Sequence, residues 1–132
     1  MLYLDTSALV KLIRREPESD ALADWLDSHE SAPWVSSAVV EVELARAIRR
    51  LEPARLSDVP AVLARVARYE VDDAVRAAAA AHPDPTLRSL DAIHLATAHA
   101  VFGARLTAFV AYDQRLLDVA RAVGLPVVIP GR

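Results

Sequence analysis

Four carboxylates in this chain occupy places where acids are uncommon. Asp5 closes the apolar run Leu2-Tyr3-Leu4, and Asp113 follows Phe109-Val110-Ala111-Tyr112. Asp91 lies between Leu90 and Ala92-Ile93, and Glu43 lies inside Val39-Val40-Glu41-Val42-Glu43-Leu44-Ala45. A carboxylate withdrawn from water without a partner is strongly disfavoured or forced neutral, so each of these acids needs company. Cations are scarce near them: Lys11 is the only lysine, and most arginines fall on faces that read as exposed. Converging acids repel one another unless a cation lies between them. Mg2+ or Mn2+ suits an all-oxygen donor set and usually keeps several waters. Such an ion activates a water and neutralises charge building on a phosphate.

Each acid also has an ordinary reading. An Asp after a strand is most often a helix cap, which covers Asp5 and Asp113 taken singly. Asp91 fits a first-turn acid favoured by the helix dipole. Glu41 and Glu43, two apart, point to different faces of a regular helix. Glu43 is the better site residue because it shares a face with Ala47 and Arg50, with Glu41 as its substitute. His94 stands one turn after Asp91, where it can bond a site carboxylate or, more commonly, sit satisfied in the core.

The elements that must position these residues follow from periodicity. Leu2–Leu4 reads as a strand, and Thr6-Ser7 can cap a helix through Leu9, Val10, Leu12 and Ile13. Pro17 opens a second helix carrying Leu22, Trp25 and Leu26 on one face. Trp34-Val35-Ser36 reads as a strand before a helix from Val39 to Leu51 that Pro53 stops. Leu56 to Val66 reads as helix with Pro60 near a first turn or a kink, and Tyr69-Glu70-Val71 as a weak strand. Asp72-Asp73 caps an Ala-rich helix, Ser89 to Phe102 is helical, and Gly103 closes it. Leu106 to Tyr112 is the most strand-like segment, Asp113 to Val123 the last helix, and Val127-Val128-Ile129 a final strand. Short apolar strands alternating with helices predict an α/β fold with a mainly parallel sheet. The carboxyl ends of such strands form the crevice where ligands bind, so Asp5 and Asp113 can face it together.

Composition narrows the field. The chain has 132 residues, 54% hydrophobic and 25% charged, with no repeat or linker, which predicts a single domain over residues 1–132. The absence of cysteine excludes a disulfide framework, a thiolate metal site and a cysteine nucleophile. A formal net charge of −3 leaves any polyanion partner to a local basic patch. Candidates are Arg46, Arg49 and Arg50 after Glu43, Arg14, Arg15 and Lys11 on another helix, and Arg88 and Arg115 beside the acids. No run of 18 residues is free of charge, so no membrane span is expected. Met1 to Asp5 lacks a basic leader, which predicts a cytoplasmic protein without a signal peptide. Trp25 and Trp34 read as core or dimer-interface residues. Leu9, Leu12 and Ile13 with Leu22 and Leu26 read either as internal packing or as an apolar groove.

Taken in order, Tyr3-Leu4-Asp5-Thr6-Ser7-Ala8-Leu9-Val10-Lys11-Leu12, Ser36-Ser37 through Glu43-Leu44-Ala45-Arg46-Ala47, Arg88-Ser89-Leu90-Asp91-Ala92-Ile93-His94-Leu95-Ala96-Thr97-Ala98, and Tyr112-Asp113-Gln114-Arg115-Leu116 running into Gly124-Leu125-Pro126 span the chain. This set resembles PIN-domain ribonucleases, specifically the VapC toxins of VapBC type II toxin–antitoxin modules. The resemblance implies a three-layer α/β/α domain that hydrolyses RNA phosphodiesters with a water activated by Mg2+ or Mn2+. It assigns Asp5, Glu43, Asp91 and Asp113 to the family's acidic quartet, with Asp5 and Asp91 at its most constant metal-ligand positions. Thr6 and Ser7 match its hydroxyl positions, and Glu41 is a second acid near its Glu position. It further implies a cognate VapB-type antitoxin whose carboxyl-terminal segment wraps the toxin, a homodimer paired further through that antitoxin, and DNA contact only through it.

Other acid-bearing α/β proteins fit less well. A dehalogenase-like phosphatase resembles Asp-x-Asp after the first strand, where this chain has Asp5-Thr6-Ser7. A receiver domain needs paired acids there and a late lysine, and the only lysine is Lys11. A PIN nuclease of general RNA processing and a non-catalytic PIN module in a repressor complex remain as alternatives.

Overall fold

The computed structural model describes residues 1–132. Five strands form its centre: β1 (Leu2–Leu4), β2 (Trp34–Ser37), β3 (Val66–Tyr69), β4 (Ala108–Val110) and β5 (Val127–Val128). All neighbours are parallel, in the order β3-β2-β1-β4-β5. The helices are α1 (Thr6–Lys11), α2 (Ser19–Asp27), α3 (Val40–Leu51), α4 (Val59–Ala64), α5 (Asp73–Ala80), α6 (Ser89–Ala96) and α7 (Gln114–Ala122).

Alternation along the strands divides the core in two. Successive side chains of a strand point to opposite faces. Leu2 and Leu4 of β1, with Ala108 and Val110 of β4, join a cluster containing Leu9, Leu22, Leu44 and Ile48 from α1, α2 and α3. Tyr3 and Phe109 face the other way, toward Leu95, Leu116, Leu117 and Ala120 from α6 and α7. Their rings stack at 5.2 Å. Helices therefore cover both faces, the arrangement an all-parallel sheet requires. The apolar side of α1 and α2 packs inward: Leu9, Ile13, Leu22 and Leu26 are buried core residues, with Leu12 partly buried against them. Trp34 is likewise buried, with the Arg65 guanidinium 3.8 Å from its ring centre.

Chain order and spatial order part company beside β1. From β1 the chain steps outward to β2 and then β3, then crosses to β4 on β1's other side. The reversal opens a crevice at the carboxyl ends of β1 and β4. The β1–β4 pairing continues one residue beyond the strand, with Asp5 N donating to Val110 O at 3.0 Å.

Three segments differ from the periodicity reading. The third strand lies at Val66–Tyr69 rather than Tyr69–Val71, because its register opposite Trp34–Ser37 is set by pairing with β2. As an edge strand it exposes Ala67, Arg68 and Tyr69, so it carries little apolar signal. Leu56–Val66 is not one helix: a 3-10 turn at Pro53–Asp58 precedes α4, which places Pro60 in a first turn. Ser89–Phe102 begins as α6 but widens after Ala96 into a π-helical turn, Thr97–Phe102, that ends at Gly103 with φ 51° and ψ −125°. That conformation suits glycine alone.

Candidate functional site

Asp5 leaves β1 and serves as the N-cap of α1. Its Oδ2 accepts from Ser7 N at 3.1 Å and from Ser7 Oγ at 2.6 Å. The Ser7 hydroxyl in turn accepts from Tyr112 N at 2.9 Å, tying the ends of β1 and β4 together through one side chain. Asp113 caps α7 by accepting from Leu116 N at 3.0 Å. The capping reading of both residues is therefore correct, and it does not compete with the site. A cap at the end of a parallel strand is what holds the carboxylate at the crevice.

The crevice is a cleft of about 700 Å³, and Asp5, Glu43, Asp91 and Asp113 all line it, with Thr6 and Ser7 between them. Glu43 reaches it from the first turn of α3 and Asp91 from the first turn of α6. Thr6 Oγ1 donates to Glu43 Oε1 at 3.0 Å. Asp91 accepts no hydrogen bond from the chain. Burial raises its carboxyl first, and the charges of Asp5 and then Asp113 add to this, bringing it up to about 6. Asp91 therefore feels more negative than positive charge around it.

His94 lies under the acids with no exposed surface. Its Nε2 is 2.7 Å from Glu43 Oε1 and 3.5 Å from Asp5 Oδ1, and its Nδ1 is 2.7 Å from the Tyr3 hydroxyl. Burial works to lower the imidazolium, but the charges of Asp5, Glu43 and Asp91 together outweigh it and raise His94 above its ordinary value. Core packing and a bond to a site carboxylate, set against each other in the sequence, are both true of it. Tyr3 was legible only as one more residue of an apolar run. A phenol inside a fully buried strand is itself a signal, because its hydroxyl must find a partner.

Other sequence candidates separate by position. Glu41 turns away from the cleft and pairs with Arg68 at 2.7 Å, a correction to its place as substitute for Glu43. Arg46 and Arg50, one turn apart on α3, line the cleft with Arg88, and none of the three makes an ion pair within the chain. Arg49 points elsewhere on α3 and is exposed, outside the lining. Arg115 also lies outside it and donates to Thr86 O at 3.1 Å. Lys11 also lines the cleft, but it is buried and engaged, bonding Glu18 at 2.8 Å and Glu16 at 3.3 Å. Arg14 pairs with Glu16 and Arg15 with Asp20.

The acids do not form a closed cage. No three of the carboxylates and imidazoles stand close enough to enclose an ion by themselves. Mg2+ demands no such cage, since it is commonly held by one or two carboxylates and keeps several waters. A hydrated hard cation fits this donor set: four carboxylates, two hydroxyls and no sulfur on an open cleft.

Residues 2–122 match the PIN domain family. The chain is 59% identical over 133 residues to Ribonuclease VapC35 of Mycobacterium tuberculosis, covering 100% of this chain and 98% of that one. It is 43% identical to Ribonuclease VapC46 of the same organism, covering 98% and 97%. Among solved structures, M. tuberculosis VapC20, described as a toxin cleaving the sarcin-ricin loop, superposes with a TM-score of 0.72 at 16% identity, covering 95% and 96%. VapBC2 of Rickettsia felis, bound to promoter DNA, gives 0.67 at 15% identity, covering 98% and 99%. At such identities these two structures speak for the fold, and the full-length sequence relatives speak for the family. With its three-layer parallel fold and its acids gathered at the strand reversal, the chain belongs to the PIN-domain family, among the VapC ribonucleases.

Proposed function

We propose that this protein is the toxin of a type II toxin–antitoxin pair and an endoribonuclease dependent on Mg2+ or Mn2+. The observation that carries the reading is the convergence of Asp5, Glu43, Asp91 and Asp113 on one cleft, with Asp91 raised by burial and by its acidic neighbours. Asp5 and Asp91 are the residues assigned to hold the ion directly, with Glu43 and Asp113 completing the site or holding its waters. When bound, the ion supplies an activated water and neutralises charge on the scissile phosphate and leaving oxygen. The protein's own part is positioning. Ser7 fixes the Asp5 carboxylate against β4, and Thr6 fixes Glu43. Arg46, Arg50 and Arg88, free of intramolecular ion pairs, face the cleft and suit the flanking phosphates of an RNA strand.

The partners follow the same reading. The full-length relatives named VapC ribonucleases, and the likeness in fold to the VapBC2 structure, support an antitoxin partner. Val42, Leu51 and Leu90 are exposed apolar side chains on the rim of the cleft, a surface suited to an antitoxin segment. A homodimer, and DNA contact only through the antitoxin, belong to the same proposal.

The test is cleavage of total RNA by the chain free of any partner, in Mg2+, Mn2+ or EDTA, beside Asp91→Asn. Discrete fragments that require the metal and disappear in the variant are expected. RNA left intact with both metals, or fragments that persist in EDTA, would contradict the reading.

A further inference from the structure

The bond pattern around Glu43 is one-sided. Oε1 takes both of the carboxylate's partners, Thr6 Oγ1 at 3.0 Å and His94 Nε2 at 2.7 Å. Oε2 accepts nothing from the chain. No buried side-chain oxygen in the protein lacks a partner, so Oε2 is the oxygen open to the cleft. A carboxylate only accepts, so the proton between His94 and Glu43 belongs to Nε2 whether the ring is neutral or charged. The far nitrogen is held as well: Nδ1 sits 2.7 Å from the Tyr3 hydroxyl, which is itself buried in β1 and edge-on to the imidazole at 5.9 Å between ring centres. The ring is thus fixed at both ends, by the central strand on one side and the acid on the other.

We propose that His94 and Tyr3 are positioning residues of the cleft: Tyr3 fixes the imidazole, and the imidazole Nε2–H holds Glu43 Oε1 back so that Oε2 is presented to the cation. This rests on the metal-dependent reading above. His94 has no exposed surface and cannot meet a substrate, so its effect on the chemistry passes through the groups it touches: Glu43 Oε1 at 2.7 Å first, with Thr6 Oγ1 at 3.4 Å and Asp5 Oδ1 at 3.5 Å farther off. The arrangement also accounts for a glutamate whose flexible side chain could otherwise swing out of the cleft, as α3 leaves Glu43 only partly buried. Partners that orient a metal-holding side chain in this way typically contribute about 10- to 100-fold in affinity or activity.

The experiment titrates Mn2+ by calorimetry into wild type, His94→Leu, His94→Gln and Tyr3→Phe, each first shown to melt cooperatively, and measures RNA cleavage on the same preparations. His94→Leu removes the donor and keeps an apolar fill, whereas His94→Gln keeps an amide N–H on the Glu43 side. Mn2+ affinity is expected to fall about 10-fold or more in His94→Leu. His94→Gln is expected to restore most of it, and Tyr3→Phe to lie between, although Tyr3 touches no carboxylate. Equal losses in the Leu and Gln variants would reduce His94 to a packing residue and overturn the proposal. An unchanged or higher affinity in His94→Leu would overturn it too, the latter by showing that the ring acts as a competing positive charge. Wild type that neither binds Mn2+ nor cuts RNA would sink the metal-dependent reading together with it. Wild type that does both while the variants match it would sink the positioning role alone.

Discussion

Asp91 carries the clearest consequence of crowding acids together. Its carboxyl is brought up to about 6 from an ordinary 3.8, with burial the largest cause, so the folded chain holds that proton more tightly than the unfolded one does. The sign follows: without metal, the residue weakens the fold progressively as pH rises from about 4 through about 6. Asp91 accepts no hydrogen bond, so replacing it by Asn removes the charge without breaking a hydrogen bond. Metal-free Asp91→Asn should therefore be more stable than wild type at pH 7.5, by about 1–2 kcal/mol. The gain should vanish near pH 4, as thermal melts at the two pH values would show. Asp5 is different, because its carboxylate also takes two bonds from Ser7. Asp5, Asp91 and Asp113 were legible from sequence because a strand end or a first helical turn announces itself. Choosing between Glu41 and Glu43 depends on which side of α3 meets the sheet, and the Arg68 partner of Glu41 lies 27 positions away.

At the scale of elements, α3 does two tasks with one amphipathic pattern. Val40, Leu44 and Ile48 enter the core, while Glu43, Arg46, Ala47 and Arg50 line the cleft on an adjoining face. If Arg46 and Arg50 follow RNA phosphates, replacing each by Ala should weaken binding of a non-cleaved RNA. It should also flatten the dependence of log affinity on log salt by about 1 per arginine. Arg115→Ala should leave that slope unchanged, since Arg115 lies outside the cleft lining. Fluorescence anisotropy across a salt series with the Asp91→Asn background measures both. The sequence set Arg46, Arg49, Arg50, Arg88 and Arg115 side by side as candidates. What it could not supply was the rotation of α3 and the loop contact that occupies Arg115. The same holds for β3, whose position is dictated by hydrogen bonding to β2 rather than by apolar periodicity of its own.

The whole molecule is tied by contacts far apart in sequence. Glu18, at the start of α2, gathers Lys11 from the end of α1 and Arg132 beside the last strand, at 2.8 and 2.7 Å. Lys11, then Arg132, hold its carboxyl down to about 2. A depressed acid of this kind contributes stability above its unfolded value near 4.5, and that contribution is lost as pH falls toward about 2. Glu18→Gln should lower the melting temperature at pH 7, with the gap to wild type narrowing between pH 4.5 and 3. The sequence offered Lys11 to a basic patch because it showed charges without showing burial. The parallel sheet, by contrast, was legible: buried runs at Leu2–Leu4 and Ala108–Val110 cannot alternate with helices in many other ways. The strand order was not, since nothing local records that β4 returns to β1's free side. No helix is long and apolar enough to cross a membrane.

The proposal that the four cleft acids serve a metal centre is best tested by titrating Mn2+ into the partner-free protein, with Asp91→Asn and Glu41→Gln alongside. Saturable binding in wild type, lost in Asp91→Asn and intact in Glu41→Gln, is the predicted result. Binding lost equally in both variants, or absent from wild type, would contradict a metal centre at the cleft.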